Sequence, residues 1–349
     1  MNLTLGFVFM ILGAICGGSF GLPSKFAKKD TPWEALWGPF FFFVTILLPT
    51  VLGPVIVKDF FGVFAKAEPV KLIAPLVFGL LWGLGSMTLG MSFAFIGLSL
   101  AYALNYGAQI ITGWMAPMLI HNPEAFATTH GLVILAGVAT CVLGVIACGR
   151  AAVLKEKSLA GSQADPAEQQ TGTKKPKMLI GVLIGVASGV LCACYAVATS
   201  FAAPVRAAAG AAANEPWRAA WAEMSIIVWG GAISACIYCA VQLTRNKTWG
   251  HLARPGVGKL LLLAGAMAVL HDAAIFCWGL GHFHMGKLGV PVGYPIFMSF
   301  AIIVGNFHGF RTGEWKGASK ESVVWIAAGI AILIGGVCLI GAGNAMSGG

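Results

Sequence analysis

"LLLLAGAMAVLHDAAIFCWGLG", residues 260 to 281, is apolar throughout except for one pair near its middle, His271 and Asp272. Twenty-two helical residues rise about 33 Å at about 1.5 Å each, enough to cross a hydrocarbon core of about 30 Å. The pair then sits near the midplane, where a charged side chain costs roughly 2.5–3.5 kcal/mol or more. An ionisable pair at that depth is a candidate functional site.

The rest of the chain extends the membrane reading. Its 349 residues are 58% hydrophobic and 10% charged, with a mean hydropathy of +0.84. Soluble domains carry about 25% charge, so the composition is that of an integral membrane protein in contact with the lipid bilayer. The net charge of +9 comes from basic residues spread over short loops between apolar runs. That scatter speaks against nucleic acid as a partner and for topology signals. The nine cysteines all lie within apolar runs and are read as packing residues. "CIYC" at 236–239 has metal-ligand spacing but no second cluster to complete a site. The lysines follow the first apolar run, so residues 3–22 are expected to be a retained helix rather than a cleaved leader.

Apolar windows predict ten transmembrane helices, at about 3–22, 35–57, 72–96, 98–120, 131–149, 178–203, 221–243, 260–281, 290–310 and 323–343. The longest polar interruption is "RAAVLKEKSLAGSQADPAEQQTGTKKPK", 150–177. It divides an all-α protein into a first five-helix repeat (1–149), a polar cytoplasmic linker (150–177) and a second five-helix repeat (178–349). An odd number of spans per half makes the second half enter from the opposite side, the arithmetic of an inverted repeat. Glycine ladders, Gly13/Gly17/Gly21 in span 1 and Gly181/Gly185/Gly189 in span 6, strengthen the parallel. Such ladders let a neighbour approach closely, inside one chain or between protomers, so the oligomeric state stays open. Spans 3–4 and 8–9 meet at the short connections "FIGLSL" and "HMGKLG". The loops after odd-numbered spans hold 16 of the 22 Lys and Arg residues, which puts those loops in the cytoplasm and both termini outside.

Several loop motifs are recognisable. "SFGLPSKFAKK" (19–29), "PWEALW" (32–37), "FGLLWGLGSMTLGMSFAFIGLSLAYAL" (78–104) and "MSFAIIVGNFHGFRTGEWKGAS" (298–319) resemble the bacterial L-rhamnose–proton symporter family, of the drug/metabolite transporter superfamily. The resemblance covers both halves with the motifs in order. It implies a ten-helix secondary transporter of the bacterial inner membrane, carrying a sugar together with a coupling ion.

Asp272 is the one acidic residue expected deep inside a span, the other twelve falling in loops or near span ends. Desolvation favours a neutral carboxyl, so Asp272 is suited to take and release a proton, with His271 as its companion. Neighbouring residues on a helix diverge by about 100°, so the two side chains are expected to splay apart. The coupling ion is read as H+, with Na+ as the alternative, and no other cofactor is expected. A sugar needs rings to stack on and polar groups for its hydroxyls. Trp82 and Ser86 in span 3, Tyr102, Asn105, Tyr106 and Gln109 in span 4, Trp278 in span 8 and Tyr294 in span 9 are the candidates. The four span-4 residues fall at i, i+3, i+4 and i+7, one face of a helix, which fits either a cavity wall or interhelical hydrogen bonding. Pro291 and Pro295, with Gly289 and Gly293, mark a break or kink at the start of span 9. Lys25 and Glu34 flank the first loop and are expected to be solvated. Glu314-Trp315 reads as an interfacial anchor, and "HFH" (282–284) as a short loop.

Three function classes compete. The first is a proton-driven importer of L-rhamnose or a related deoxysugar or hexose. The second is a transporter of another small neutral metabolite: span 1 lacks the acid of a small-multidrug exporter, and no span centre carries the Lys or Arg expected of a nucleotide-sugar exchanger. The third is a membrane enzyme using His271 as a base, for which there is neither a nucleophile motif nor a metal constellation.

Overall fold

The computed structural model describes residues 2–121, 124, 127–162, 178–285 and 293–347, without the side chains of 113–121, 160–162, Tyr294, Pro295, Asn344 and Ser347. Among the described residues every regular element is helical. Helix α1 is Leu3–Ser19, α2 Trp33–Ile56, α3 Phe60–Lys66, α4 Pro69–His121, α5 Thr129–Ser162 and α6 Met178–Phe201. Then follow α7 (Ala203–Ala211), α8 (Pro216–Arg245), α9 (Val257–Met285), α10 (Tyr294–Arg311) and α11 (Lys320–Ser347). Eight of the described helices are long and apolar enough to cross a membrane: α1 with the 3-10 turn that follows it, α2, α4, α5, α6, α8, α9 and α11. The described apolar stretch of α10, Ile296–Arg311, is shorter.

Local chemistry sets the boundaries. The Asn2 side chain accepts a hydrogen bond from Leu5 N at 3.2 Å and caps α1. Prolines open the 3-10 turn Leu22–Phe26 and α8, where a missing N–H costs nothing. Helix α2 contains Pro39 and a π turn at Phe43–Leu47. The longest element, α4, breaks at Gly97, whose φ of 80° and ψ of 171° only glycine adopts readily. Residues 69–96 and 98–121 are therefore two limbs.

The apolar faces pack in pairs that join distant parts of the chain. Helix α1 lies on α9 and α10, α6 on both limbs of α4, α8 on α4 and α2, and α5 on α11. The glycine ladders sit at these crossings. A Cβ at Gly13 would lie 2.9 Å from the Ala274 carbonyl, and one at Gly181 would run into Ile96. Both ladders pack within the chain.

Three expectations change. The polar run from Arg150 is helical to Ser162, because its Ala, Leu, Lys and Glu residues are good helix formers and its cations find aromatic partners. Arg150 lies 4.4 Å over the Trp325 ring and Lys155 4.8 Å over Trp315. "HFH" belongs to the last turn of α9 rather than to a loop. Asp272 is not the only buried acid: Glu34 and Glu223 are buried too, since α8 begins at Pro216 and carries Glu223 two turns inside. Residues 286–290 of the "HMGKLG" connection, with Pro291, lie outside the described residues.

Candidate functional site

Helix α9 carries His271 and Asp272 into an aromatic enclosure. Phe20 and Phe40 present edge-on rings to the imidazole at centroid distances of 5.4 and 6.0 Å, and Trp82 tilts against it at 5.9 Å. Against the expected splay, His271 Nδ1 lies 3.1 Å from Asp272 Oδ1. The aromatic walls leave the imidazole few other directions, so the two side chains bend together. Asp272 is 4% exposed, and its second oxygen, Oδ2, has no hydrogen-bond partner. Burying a carboxylate oxygen unpaired is costly, so a proton, a water or a ligand hydroxyl is drawn to it.

A second group lies beside the first. The Trp82 ring meets Tyr195 at 5.8 Å, and Tyr195 lies one turn of α6 before Thr199. Arg206 Nη1 donates to Glu223 Oε2 at 2.5 Å and to the Thr199 carbonyl at 3.0 Å. Two turns along α9 from His271, Trp278 stacks on His282 at 5.8 Å. The indole nitrogens of Trp278 and Trp221 and Nδ1 of His282 are buried without partners. Asp272 Oδ2 is an accepting position and the indole nitrogens are donating ones, the two kinds that sugar hydroxyls require.

The span-4 candidates bond to neighbouring helices, and the Tyr102 ring meets Phe20, one wall of the enclosure, at 5.9 Å. The Tyr102 hydroxyl accepts from Gly21 N at 2.9 Å, and the Tyr106 hydroxyl donates to the Gly17 carbonyl at 3.0 Å. Asn105 Nδ2 donates to Ser188 Oγ at 2.8 Å, and Gln109 Nε2 reaches Asn105 Oδ1 at 3.4 Å. The face they share on α4 meets α1 and α6. Ser86 is buried one turn from Trp82. The side chain of Tyr294 lies outside the described residues. Cys236 Sγ of "CIYC" is 3.7 Å from Thr45 Oγ1, and among the described residues no group of three His, Cys, Asp or Glu side chains is arranged to hold a metal.

Towards the helix ends, Lys25 pairs with Glu314 at 2.8 Å, not with Glu34. Glu314 also accepts from Leu98 N at 2.7 Å and Ser99 N at 3.0 Å, which caps the second limb of α4. Trp315 is buried beneath Lys155 and stacks on Phe310, so this motif is a packed junction rather than an interfacial anchor. Glu34 accepts from Asn246 Nδ2 at 2.9 Å and Thr248 Oγ1 at 2.8 Å.

Tyr195, Arg206 and Glu223 were not predicted, yet the sequence holds a signal for Arg206. Ser19-Phe20-x-x-Pro23-x-Lys25-x-Ala27 recurs as Ser200-Phe201-x-x-Pro204-x-Arg206-x-Ala208, and Pro32-Trp33-x-x-x-Trp37 recurs as Pro216-Trp217-x-x-x-Trp221. Arg206 stands where Lys25 stands.

Apolar helices that enclose a carboxylate with an unengaged oxygen have the build of a membrane transporter. Residues 1–346 match the family of the L-rhamnose-proton symport protein (RhaT), and the chain belongs to that family. It is similar to the L-rhamnose-proton symporter of Escherichia coli (strain 55989 / EAEC), 26% identical over 350 residues with 98% of each chain covered. The L-rhamnose-proton symporters of Enterobacter sp. (strain 638) and Salmonella paratyphi B (strain ATCC BAA-1250 / SPB7) are each 25% identical over the same share.

Proposed function

We propose that this chain imports L-rhamnose, or a closely related deoxysugar or hexose, together with a proton, by alternating access between two inverted five-helix halves. The observation that carries the chemistry is Asp272: buried, bonded to His271 through one oxygen and unengaged at the other, in a chain that belongs to a proton-symport family along its length. Asp272 takes the proton, and His271 holds the carboxyl in place. Trp82 and Trp278 supply rings for the sugar, while the indole N–H of Trp278 and Asp272 Oδ2 supply hydrogen-bonding positions. The hydrogen bonds of Tyr102, Asn105 and Tyr106 position α4 against α1 and α6.

Two inverted halves are supported by how the contacts pair. Exchanging the halves turns the packing of α1 on α9 and α10 into that of α6 on the two limbs of α4. The repeated P-W-x-x-x-W motifs open α2 and α8, and their third residues make matching contacts. Glu34 reaches Asn246 and Thr248 just past the end of α8, whereas Arg218 Nη1 donates to the Ile56 carbonyl at the end of α2, at 2.9 Å. Counting the limbs of α4 as two crossings and α10 as one gives ten. With the charge bias, the loops after odd-numbered crossings lie in the cytoplasm and both termini outside a bacterial inner membrane.

The test is uptake of radiolabelled L-rhamnose into proteoliposomes, with and without an imposed pH gradient, for the native protein and Asp272→Asn. Gradient-driven uptake that the substitution abolishes while sugar exchange persists is the expected result. No rhamnose or hexose uptake by the native protein would sink the sugar reading, and uptake driven by a sodium gradient alone would replace the proton with Na+.

A further inference from the structure

Two ion pairs occupy matching places in the two halves. Lys25 follows α1 and Arg206 follows α6, at the same position of the repeated S-F-x-x-P-x-[K/R]-x-A motif. Lys25 Nζ lies 2.8 Å from Glu314 and Arg206 Nη1 2.5 Å from Glu223. Their exposures match as well: the cations are 32% and 42% exposed, the carboxylates 6% and 9%. Each pair thus has a wet cation over a nearly dry carboxylate, as at the mouth of a path from water to the interior. Five crossings separate Lys25 from Arg206, which puts them at opposite faces.

Each pair also leads inward to the central site. Phe20, five residues before Lys25, is an edge-on neighbour of His271. Arg206 reaches the Thr199 carbonyl, one turn of α6 beyond Tyr195, and the Tyr195 ring touches Trp82, which in turn meets His271. Both pairs are closed in the structure, and Asp272 is 4% exposed, so the site is shut off from both sides.

We propose that Lys25–Glu314 and Arg206–Glu223 are the two latches of the transport cycle, one at each face, which open in turn. The proposal rests on the alternating-access reading above and assigns positioning residues to it. Opening a latch separates an exposed cation from a buried carboxylate. Glu223 without Arg206 is a buried carboxylate that has lost its ion-pair partner, and Glu314 without Lys25 keeps its two backbone donors but loses its ion pair, so each latch opens at a cost that water or a proton reaching the carboxylate lowers. Two such costs at once are harder to meet than one, which disfavours opening both faces together and suppresses leak.

The experiment is hydrogen–deuterium exchange on the full-length protein in lipid nanodiscs, paired with L-rhamnose uptake by the same variants in proteoliposomes. Lys25→Met opens one latch while leaving the Glu314 cap on Leu98 and Ser99 intact. Glu223→Gln and Arg206→Met open the other. Lys25→Met is expected to raise exchange at least about fivefold in residues 19–27 and 311–319 alone, and Glu223→Gln and Arg206→Met to do so in residues 200–223 alone. Arg206→Lys, which borrows the cation of the other half, is expected to keep native exchange and uptake. Loosening of both faces by either substitution, or of neither, overturns the latches. Face-selective exchange in a protein that moves no sugar would leave the latches standing and remove the sugar reading. Sugar uptake without face-selective exchange would remove the latches alone.

Discussion

Glu314 closes the helix end that Gly97 opens. Its carboxylate accepts from the first two N–H groups after the glycine, and a Cβ at position 97 would lie 2.5 Å from Glu314 Oε2. The loop after α10 and the break in α4 therefore form one junction, to which Lys25 adds an ion pair.

Substituting Gly97 with Ala strikes this junction twice. The backbone conformation at φ 80° and ψ 171° is close to forbidden for a residue with a side chain, which costs roughly 1–3 kcal/mol. The methyl group also displaces the capping carboxylate. Gly97→Ala is expected to lower the melting temperature of the detergent-solubilised protein by several degrees and to cut sugar uptake. An unchanged melting curve would show that the cap is dispensable.

His271→Phe separates packing from chemistry. A phenyl ring fills the space between Phe20, Phe40 and Trp82, so the expected loss of stability, roughly 1–3 kcal/mol, comes from the unpaired carboxyl of Asp272 rather than from a cavity. Asp272 then loses its one hydrogen-bond partner. Gradient-driven uptake is expected to fall at least about tenfold, because the carboxyl that takes the proton is no longer held in place, while sugar counterflow survives. Uptake at the native rate would reduce His271 to a packing residue.

Asn105→Ala is expected to act in the reverse sense. It removes a buried hydrogen bond to Ser188 between α4 and α6, worth about 0.6 kcal/mol on average in membrane helices and up to about 1.7. Thermal stability should drop by that order, with the KM for sugar changed less than about twofold. A large rise in KM at unchanged stability would put Asn105 in the sugar path.

The membrane class and the buried pair were legible because hydrophobicity and depth are properties of a single run of sequence. The alignment of Tyr102, Asn105, Tyr106 and Gln109 on one face was legible from helical spacing, but which helix that face meets depends on the bundle. Tyr102 and Tyr106 reach backbone groups of Gly21 and Gly17, partners that no residue pattern advertises. Glu223 lies two turns inside a helix that starts at Pro216, earlier than hydropathy places it, because Trp217, Arg218 and Glu223 dilute the apolar window. Glu34 and Glu314 look like loop residues in sequence, and their burial comes from chain segments more than two hundred residues away.

Trp278 offers the sharpest test of where the sugar sits. Its indole N–H is buried without a protein partner, so Trp278→Phe removes no intramolecular hydrogen bond and keeps the stacking with His282. Stability should therefore hold, or rise slightly as an unsatisfied donor disappears. If a sugar hydroxyl accepts that N–H in the loaded state, its loss removes roughly 0.5–1.5 kcal/mol of binding, a rise in KM of about two- to tenfold. The expected pattern is an unchanged melting temperature without sugar, a smaller sugar-induced upward shift and a higher KM at similar maximal rate. A native KM, with the stabilising effect of sugar retained in full, would exclude the Trp278 indole from the binding site and shift the search to Trp82 and Trp221, the other rings flanking the site.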